Sequence, residues 1–336
     1  MSTIYDIAQE TGFSPSTVAR ALSGKGYCSE RAREIIQQAA HRLDYAPVQA
    51  AKALKNKLTK KVMFCIPDMY NPYYFSMIEG ANQTLGKHGY YMVLAHSEHS
   101  KSRELGFVEV LRERIVDGII LGSFDFYPRL VKAVQHAPVP AVLTALYEGG
   151  GSDGLDCVYV DQIKAVYIAT AELIRLGHKD IVFLGGTAQE LTGRERQAGF
   201  RQALEDNGLE FDPRMAVVSD FSRAGGEAAF RDFLKKKRPF TGVVACNDLM
   251  AFGCMNVCRD MGLRIPRDVS VVSLDNTDFC CCTVPMLSSV DMMQFQLGSN
   301  AAQLLLERIE GRRDYRKAIA LEPMLVARGS TAKAKK

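Results

Sequence analysis

Apolar residues in the first 46 positions recur at helical spacing. Ile4, Ile7 and Ala8 share one helical face, and the turn Thr11-Gly12-Phe13 closes that segment. Ser14 offers an N-cap hydroxyl directly before Pro15, whose missing N–H is harmless at a first helical position. A second helix carries Thr17, Val18, Ala21 and Leu22 to the stop signal Ser23-Gly24-Lys25-Gly26. Ser29 can cap a third, with Ala32, Ile35, Ile36, Ala39 and Leu43 at core spacing. Two short helices joined by a glycine-containing turn, the second opening on small polar residues, form a helix-turn-helix pattern. Pro47 ends it. The stretch VQAAKALKNKLTKK that follows is helix-capable but too short to be stable alone, so it reads as a linker over 47–60.

From Lys61 the pattern changes. KVMFCIPD, YMVLAH, DGIILGS and PAVLTA read as strands, with helices over 72–88, 101–114 and 126–137 between them. After Asp161 the alternation restarts: DIVFLGG, MAVVSD, TGVVAC and VSVVSLD, separated by helices near 194–207, 223–237 and 247–261. A helix over 293–310 and two short strands, KAIALE and MLVAR, follow. Near-continuous Val/Ile runs mark parallel strands covered on both faces. Two such series in tandem predict an α/β core of two doubly wound lobes. The expected division is 1–46 for the all-α head, 47–60 for the linker, 61–161 plus about 292–322 for the first lobe, 162–291 plus about 323–331 for the second, and 332–336 as a tail.

Composition narrows the class. The 336 residues suit two or three domains, and 47% hydrophobic with 24% charged residues excludes collagen-like and low-complexity chains. No apolar run approaches the ~18–20 residues of a membrane span. The opening MSTIYDIAQE lacks the apolar core of a secretory signal, so the expected compartment is cytoplasmic, with no membrane partner. Nine cysteines at irregular spacing suit reduced thiols better than a disulfide framework. The net charge of +4 is unevenly placed: residues 1–60 hold nine basic and five acidic side chains, and the remainder balances. A basic head on a neutral body points to a polyanionic partner for the head.

The segments TIYDIAQETGFSPSTVARALSG, AAHRLDYAPVQAAKAL, NPYYFSMIEGA, RIVDGIILGS, ACNDLMAFGCM, VSVVSLDN and LVARGST resemble the LacI/GalR-type (lactose-repressor) family of bacterial transcriptional regulators, in order and along essentially the whole chain. The resemblance implies a helix-turn-helix DNA-binding head, a hinge helix and a core like periplasmic binding proteins. It further implies a homodimer on a pseudo-palindromic double-stranded operator, controlled by a small-molecule effector, with repression as the expected direction. Two departures bear on the operator. Thr17-Val18-Ala19-Arg20 stands where the family usually reads T-V-S-R, and Val48 where it usually has Asn. No leucine heptad follows LVARGST, so a tetramerisation helix is not expected.

The start of a recognition helix faces base edges, which assigns Pro15 and Ser16 to the major groove and Arg20 one turn further on. Arginine's fork matches guanine O6 and N7, whereas Tyr5 and Thr17 are suited to phosphates. By resemblance, Leu54 is a wedge for the minor groove, small Ala51 allows close helix approach, and Lys55 holds a flanking phosphate. Tyr73 and Tyr74 follow the first strand of the first lobe, with aromatic faces for a ligand. Thr192, Arg196, Phe221, Asn247 and Asp275 follow strands of the second lobe and should line the same cleft. Arg196 and Asp275 offer donors and acceptors for vicinal hydroxyls. Asn247-Asp248 resembles sugar-responsive members, and Glu190 replaces a base that some purine-responsive members carry nearby. A carbohydrate is therefore the expected effector, with a nucleobase or nucleoside stacked on Tyr73 and Phe221 as the alternative.

From another class, a solute-binding receptor without DNA function would need a signal peptide and no basic head. A cytosolic enzyme would need a catalytic constellation, and the chain carries no nucleophile elbow, phosphate loop or dinucleotide fingerprint. Cys254 and Cys258 lack a second pair at zinc spacing, and Cys280-Cys281-Cys282 read as buried small hydrophobes. Neither enzyme activity nor a cofactor nor a metal is expected.

Overall fold

A computed structural model describes residues 2–24, 26–45, 58–123, 126–147, 155–187 and 189–335. The chain divides into two compact units, Met1–Thr59 and Lys60–Lys336. The first holds three helices, α1 (Ile4–Thr11), α2 (Pro15–Ser23) and α3 (Glu30–Arg42). Their starts are fixed by side chains that accept otherwise orphaned backbone N–H groups. Thr3 and Asp6 form a reciprocal capping box on α1. The Ser14 hydroxyl accepts from Thr17 N–H at 3.2 Å, and Ser29 accepts from Ala32 N–H at 3.3 Å. Ile7, Val18, Ala21, Ile36 and Ala39 close a small core between the helices. Ile35, expected in that core, is 39% exposed. The inner face of α3 is occupied by Ala32, Ile36, Ala39 and Ala40, and a residue one step before Ile36 lies about 100° around the helix from it.

The second unit is built on two six-stranded sheets. The strands are β1 (Lys61–Ile66), β2 (Tyr91–His96), β3 (Ile119–Leu121), β4 (Ala141–Leu143), β5 (Asp156–Val160), β6 (Ile181–Gly186), β7 (Ala216–Ser219), β8 (Gly242–Ala245), β9 (Ser270–Asp275), β10 (Ser288–Asp291), β11 (Ala318–Leu321) and β12 (Met324–Val326). One sheet runs β11-β5-β4-β3-β1-β2, all parallel. The other runs β12-β10-β9-β8-β6-β7, parallel except for the β10–β12 pair. The helices are α4 (Tyr73–Lys87), α5 (Lys101–Arg112), α6 (Pro128–Gln135), α7 (Gln162–Arg175), α8 (Leu191–Asp206), α9 (Arg223–Lys235), α10 (Asp248–Asp260) and α11 (Gln294–Ile309). Helix α11 lies directly on α4. A Cβ at Gly298 would sit 1.9 Å from the Met77 carbonyl oxygen, so only glycine permits this approach.

Three elements add to those expected from the sequence: β5, α7 and β10. Helix α7 buries Ala165, Val166, Ala169 and Leu173 at ordinary helical spacing, whereas the two strands depart from an apolar pattern. β5 opens on Asp156, a carboxylate buried beneath Arg313 (2.6 and 2.8 Å) and Arg308 (3.0 Å). β10 opens on two buried serines whose hydroxyls are bonded inside the lobe. Cysteine placement also differs from expectation. Cys280 is buried, but Cys281 and Cys282 are exposed on the 3-10 turn Asp278–Cys282. Among the described residues no helix is long and apolar enough to cross a membrane, and no cluster of side chains suits a metal ion.

Candidate functional site

On the head, Pro15 and Ser16 are exposed at the start of α2 and Arg20 in its last turn, and Tyr5 is exposed on α1. Thr17 is half-buried. Its hydroxyl lies 2.9 Å from Ser14 Oγ and accepts from Arg20 Nη2 at 3.4 Å, so the helix cap holds the arginine side chain towards the helix start. Ala51, Leu54 and Lys55 lie outside the described residues, as do the other positions over 46–57.

In the second unit, β1 lies between β2 and β3, and β6 between β7 and β8. Chain connections therefore leave in opposite directions at β1 and at β6, and a crevice opens at the carboxyl ends of the strands there. A cleft of about 590 Å³ occupies that place. Tyr73, Tyr74, Thr192, Arg196, Phe221, Asn247 and Asp275 all line it. Residues that the sequence reading did not single out complete the wall: Asp68, His99, Lys101 and Glu104 from the first sheet's side, Asp220 and Ser222 from the second's.

The side chains differ in what they offer. Tyr73 and Tyr74 are 2% and 3% exposed and meet edge to face at 5.1 Å, so they act mainly as wall and core rather than as open stacking platforms. Burial, with the nearby Asp275 carboxyl, pushes both phenols well above the usual tyrosine range. Phe221 presents the more open ring. Its backbone has φ 63°, in the left-handed region, and the ring lies against Gly186. A Cβ on Gly186 would be 1.9 Å from Phe221 Cζ, so the strand end must be glycine for the ring to lie there.

Arg196 is buried, not the exposed helix residue its position on α8 would allow. Its Nε donates to Gln162 Oε1 at 2.9 Å and its Nη1 to the Cys246 carbonyl at 2.7 Å. Its guanidinium carbon stands 5.9 Å from the Phe221 ring centre. Asn247 has a structural task as well: its side chain accepts from Met250 N–H and donates to the Phe221 carbonyl, both at 2.8 Å. It thereby ties the Phe221 loop to the start of α10.

Asp275 closes β9 with φ 107°, an unusual conformation for a side chain with a Cβ. Its carboxyl is pushed well above the ordinary range, first by burial and then by the neighbouring Asp248, with Arg196 opposing. Asp248, which the sequence marks only as part of the Asn247-Asp248 pair, has a structural role that its sequence context does not reveal. It is 1% exposed and accepts from Ser273 Oγ, Ser289 Oγ (2.8 Å), Thr277 N–H and Oγ1 (both 2.8 Å) and Cys280 Sγ (3.0 Å). One carboxylate thus anchors the loop that follows Asp275 to α10. Its partners lie 25 to 41 positions further along the chain, so nothing local to Asp248 signals this role.

Comparisons with known proteins agree with this architecture. A family model described as bacterial regulatory proteins, lacI family, matches residues 3–48, and one described as a periplasmic binding protein-like domain matches residues 170–331. The HTH-type transcriptional repressor PurR of Erwinia tasmaniensis is 29% identical over 99% of this chain and 97% of its own length. A structure of the transcriptional regulator CelR in complex with cellobiose is 28% identical, with a TM-score of 0.76 over 98% of this chain and all of that one. The lac repressor dimer bound to operator and the anti-inducer ONPF shares the fold, with a TM-score of 0.87 over 98% of this chain and 99% of that one at 24% identity. With a capped helix-turn-helix head followed by a two-sheet core, and with relatives that match it along nearly its whole length, this chain belongs to the LacI family of bacterial transcriptional regulators.

Proposed function

We propose that this regulator acts in the cytoplasm as a homodimeric repressor on a pseudo-palindromic operator, and that a carbohydrate in the cleft changes its operator affinity. One observation carries the ligand half of this reading. Tyr73, Tyr74, Thr192, Arg196, Phe221, Asn247 and Asp275, scattered over 200 positions, converge on a single cavity at the carboxyl ends of both sheets. Arg196, Thr192 and Asp275 supply donors and acceptors for vicinal hydroxyls, and Phe221 supplies an apolar face for a sugar ring. Glu190 on the same wall is an acceptor when ionised, which favours a ligand rich in donors. The cellobiose held by CelR supports the same class. PurR among the relatives keeps a nucleobase as the second reading, with Phe221 as its stacking surface.

On the DNA side, Pro15, Ser16 and Arg20 contact base edges, Tyr5 and Thr17 contact phosphates, and Leu54 enters the minor groove flanked by Ala51 and Lys55. The lobes are taken as 61–161 plus about 292–322 and 162–291 plus about 323–331. A ligand that prefers one arrangement of the lobes shifts operator affinity by that preference, typically ~1–3 kcal/mol. None of these roles requires catalysis or a cofactor.

A calorimetric screen of cellobiose, glucose, galactose and ribose against hypoxanthine, guanine and adenosine tests the ligand class. Saturable binding of a sugar that Asp275→Ala abolishes is the expected result. Binding of a purine alone replaces the carbohydrate with the second reading.

A further inference from the structure

The chain enters the second unit at Lys60, and each polar group of that residue is engaged there. Its N–H donates to Asp117 Oδ2 at 2.7 Å, and its carbonyl accepts from Tyr91 N–H at 2.8 Å. Its ammonium nitrogen stands 4.0 Å from the Tyr90 ring centre, within range of a cation–π attraction. Asp117 fastens the next residue too, donating its own N–H to the Lys61 carbonyl at 2.8 Å. Both Asp117 and Tyr90 are buried. Lys60 itself has φ 57°, in the left-handed region, which a residue with a Cβ keeps only when its surroundings hold it. These contacts are what hold it.

This clasp sits at one end of two adjacent strands, and the cleft lies at the other. Lys60 directly precedes β1, and Asp117 stands just before β3. The two strands pair in parallel, with Met63 opposite Ile119. Just past their carboxyl ends, Pro67, Asp68 and Ser123 line the cleft. The six residues of β1, at about 3.3 Å each, span about 20 Å. All of them except Lys61 are buried, so the strand is a rigid part of its sheet. A turn of that sheet at the cleft therefore turns the start of β1 by the same angle. The linker follows as long as the clasp holds Lys60.

We infer that Asp117 is a positioning residue for DNA binding: through Lys60 it fixes the direction in which the linker leaves the core, and so the spacing at which a dimer offers its two heads to an operator. This rests on the homodimer reading. With the exit direction fixed, binding of one head presents the other to its half-site at a high effective concentration. With the clasp open, the exit direction is no longer set, and that concentration falls while each head keeps its own DNA contacts.

The test is fluorescence anisotropy of the intact protein on a full operator, selected from random duplex DNA, and on one isolated half-site. Asp117→Ala should bind the full operator about tenfold or more weaker, out of the ~10²–10⁴-fold that linking two modules supplies, with half-site affinity unchanged. Inserting a few base pairs between the half-sites should cost the wild type more than the variant. Asp117→Asn keeps an oxygen for the Lys60 N–H and should restore most of the preference for the full operator. Lys60→Pro lacks the N–H and cannot adopt φ 57°, yet leaves Asp117 in place, so it should reproduce the loss even if Asp117→Ala does not fold. A folded Asp117→Ala or Lys60→Pro protein with the wild-type preference for the full operator overturns this inference alone. A wild type that binds half-site and full operator alike overturns the homodimer reading, and this inference with it.

Discussion

Replacing Asp248 separates its two jobs, which are satisfying buried donors and repelling Asp275. Oδ1 accepts two serine hydroxyls, Ser273 and Ser289, whereas Oδ2 accepts the Thr277 N–H and Oγ1 and the Cys280 thiol. In Asp248→Asn the amide can present its NH2 to the two serines, whose hydroxyls rotate to accept, and keep its oxygen for Thr277. The loss should be about 1 kcal/mol. In Asp248→Ala the half-buried Thr277 N–H loses its partner, and the side chains of Ser273, Ser289, Thr277 and Cys280 lose their acceptor. Breaking a buried charged network of this kind costs about 3–5 kcal/mol. At about 2–4 °C per kcal/mol for a large unit, the midpoint of thermal unfolding should fall by about 6–20 °C for alanine and by only a few degrees for asparagine. Urea unfolding followed by circular dichroism, with the thermal melt beside it, reads both. An alanine variant within about 1 kcal/mol of wild type, or an asparagine variant as unstable as the alanine one, would refute the network argument.

Further outcomes follow from single contacts. Gly186→Ala, whose new methyl would collide with the Phe221 ring, should weaken ligand binding while leaving operator affinity without ligand intact; calorimetry and fluorescence anisotropy check the two halves. Arg20→Ala should relax base preference at one position per half-site by ~1–3 kcal/mol. Leu54→Ala should instead reduce DNA bending, read in gel-mobility assays with permuted sites. Buried His178 bridges Thr241 Oγ1 (2.9 Å) and the Ala332 carbonyl (3.0 Å), and burial lowers its pKa from the ordinary 6.5. The unfolded chain therefore binds a proton that the folded one resists, so stability is full above about pH 6.5 and falls as pH drops towards the folded-state value. His178→Gln should flatten that slope in unfolding curves taken across the same range.

Local signals carried much of this structure in the sequence. Ser14, Pro15 and Ser29 mark helix starts because each acts within three residues of itself. The long Val/Ile runs mark strands because burial on both faces leaves no polar positions. Knowing that ligands collect at strand ends was enough to bring seven scattered residues to one cleft. What stayed hidden depends on distant partners. Ser288 and Ser289 look unsuited to a buried strand until Thr331 and Asp248 supply their hydrogen bonds from about 40 positions away. Asp156 is likewise buried only because Arg308 and Arg313 arrive from a helix and turn far along the chain. The openness of a ring was also illegible: Tyr73 and Phe221 look equivalent in sequence, yet one packs into the core and the other is displayed against a glycine.

The central claim is that a molecule in the cleft controls the DNA affinity of the head. Its most direct test uses an operator selected from random duplex DNA by the intact protein. Fluorescence anisotropy then measures affinity for that duplex with and without the sugar found by calorimetry, for wild type and for Asp275→Ala. Saturating ligand should shift wild-type affinity about 5–150-fold, and Asp275→Ala should bind the operator like ligand-free wild type with no shift. A ligand that saturates the wild-type cleft and leaves operator affinity unchanged, or an Asp275→Ala protein that responds in full, would contradict the account.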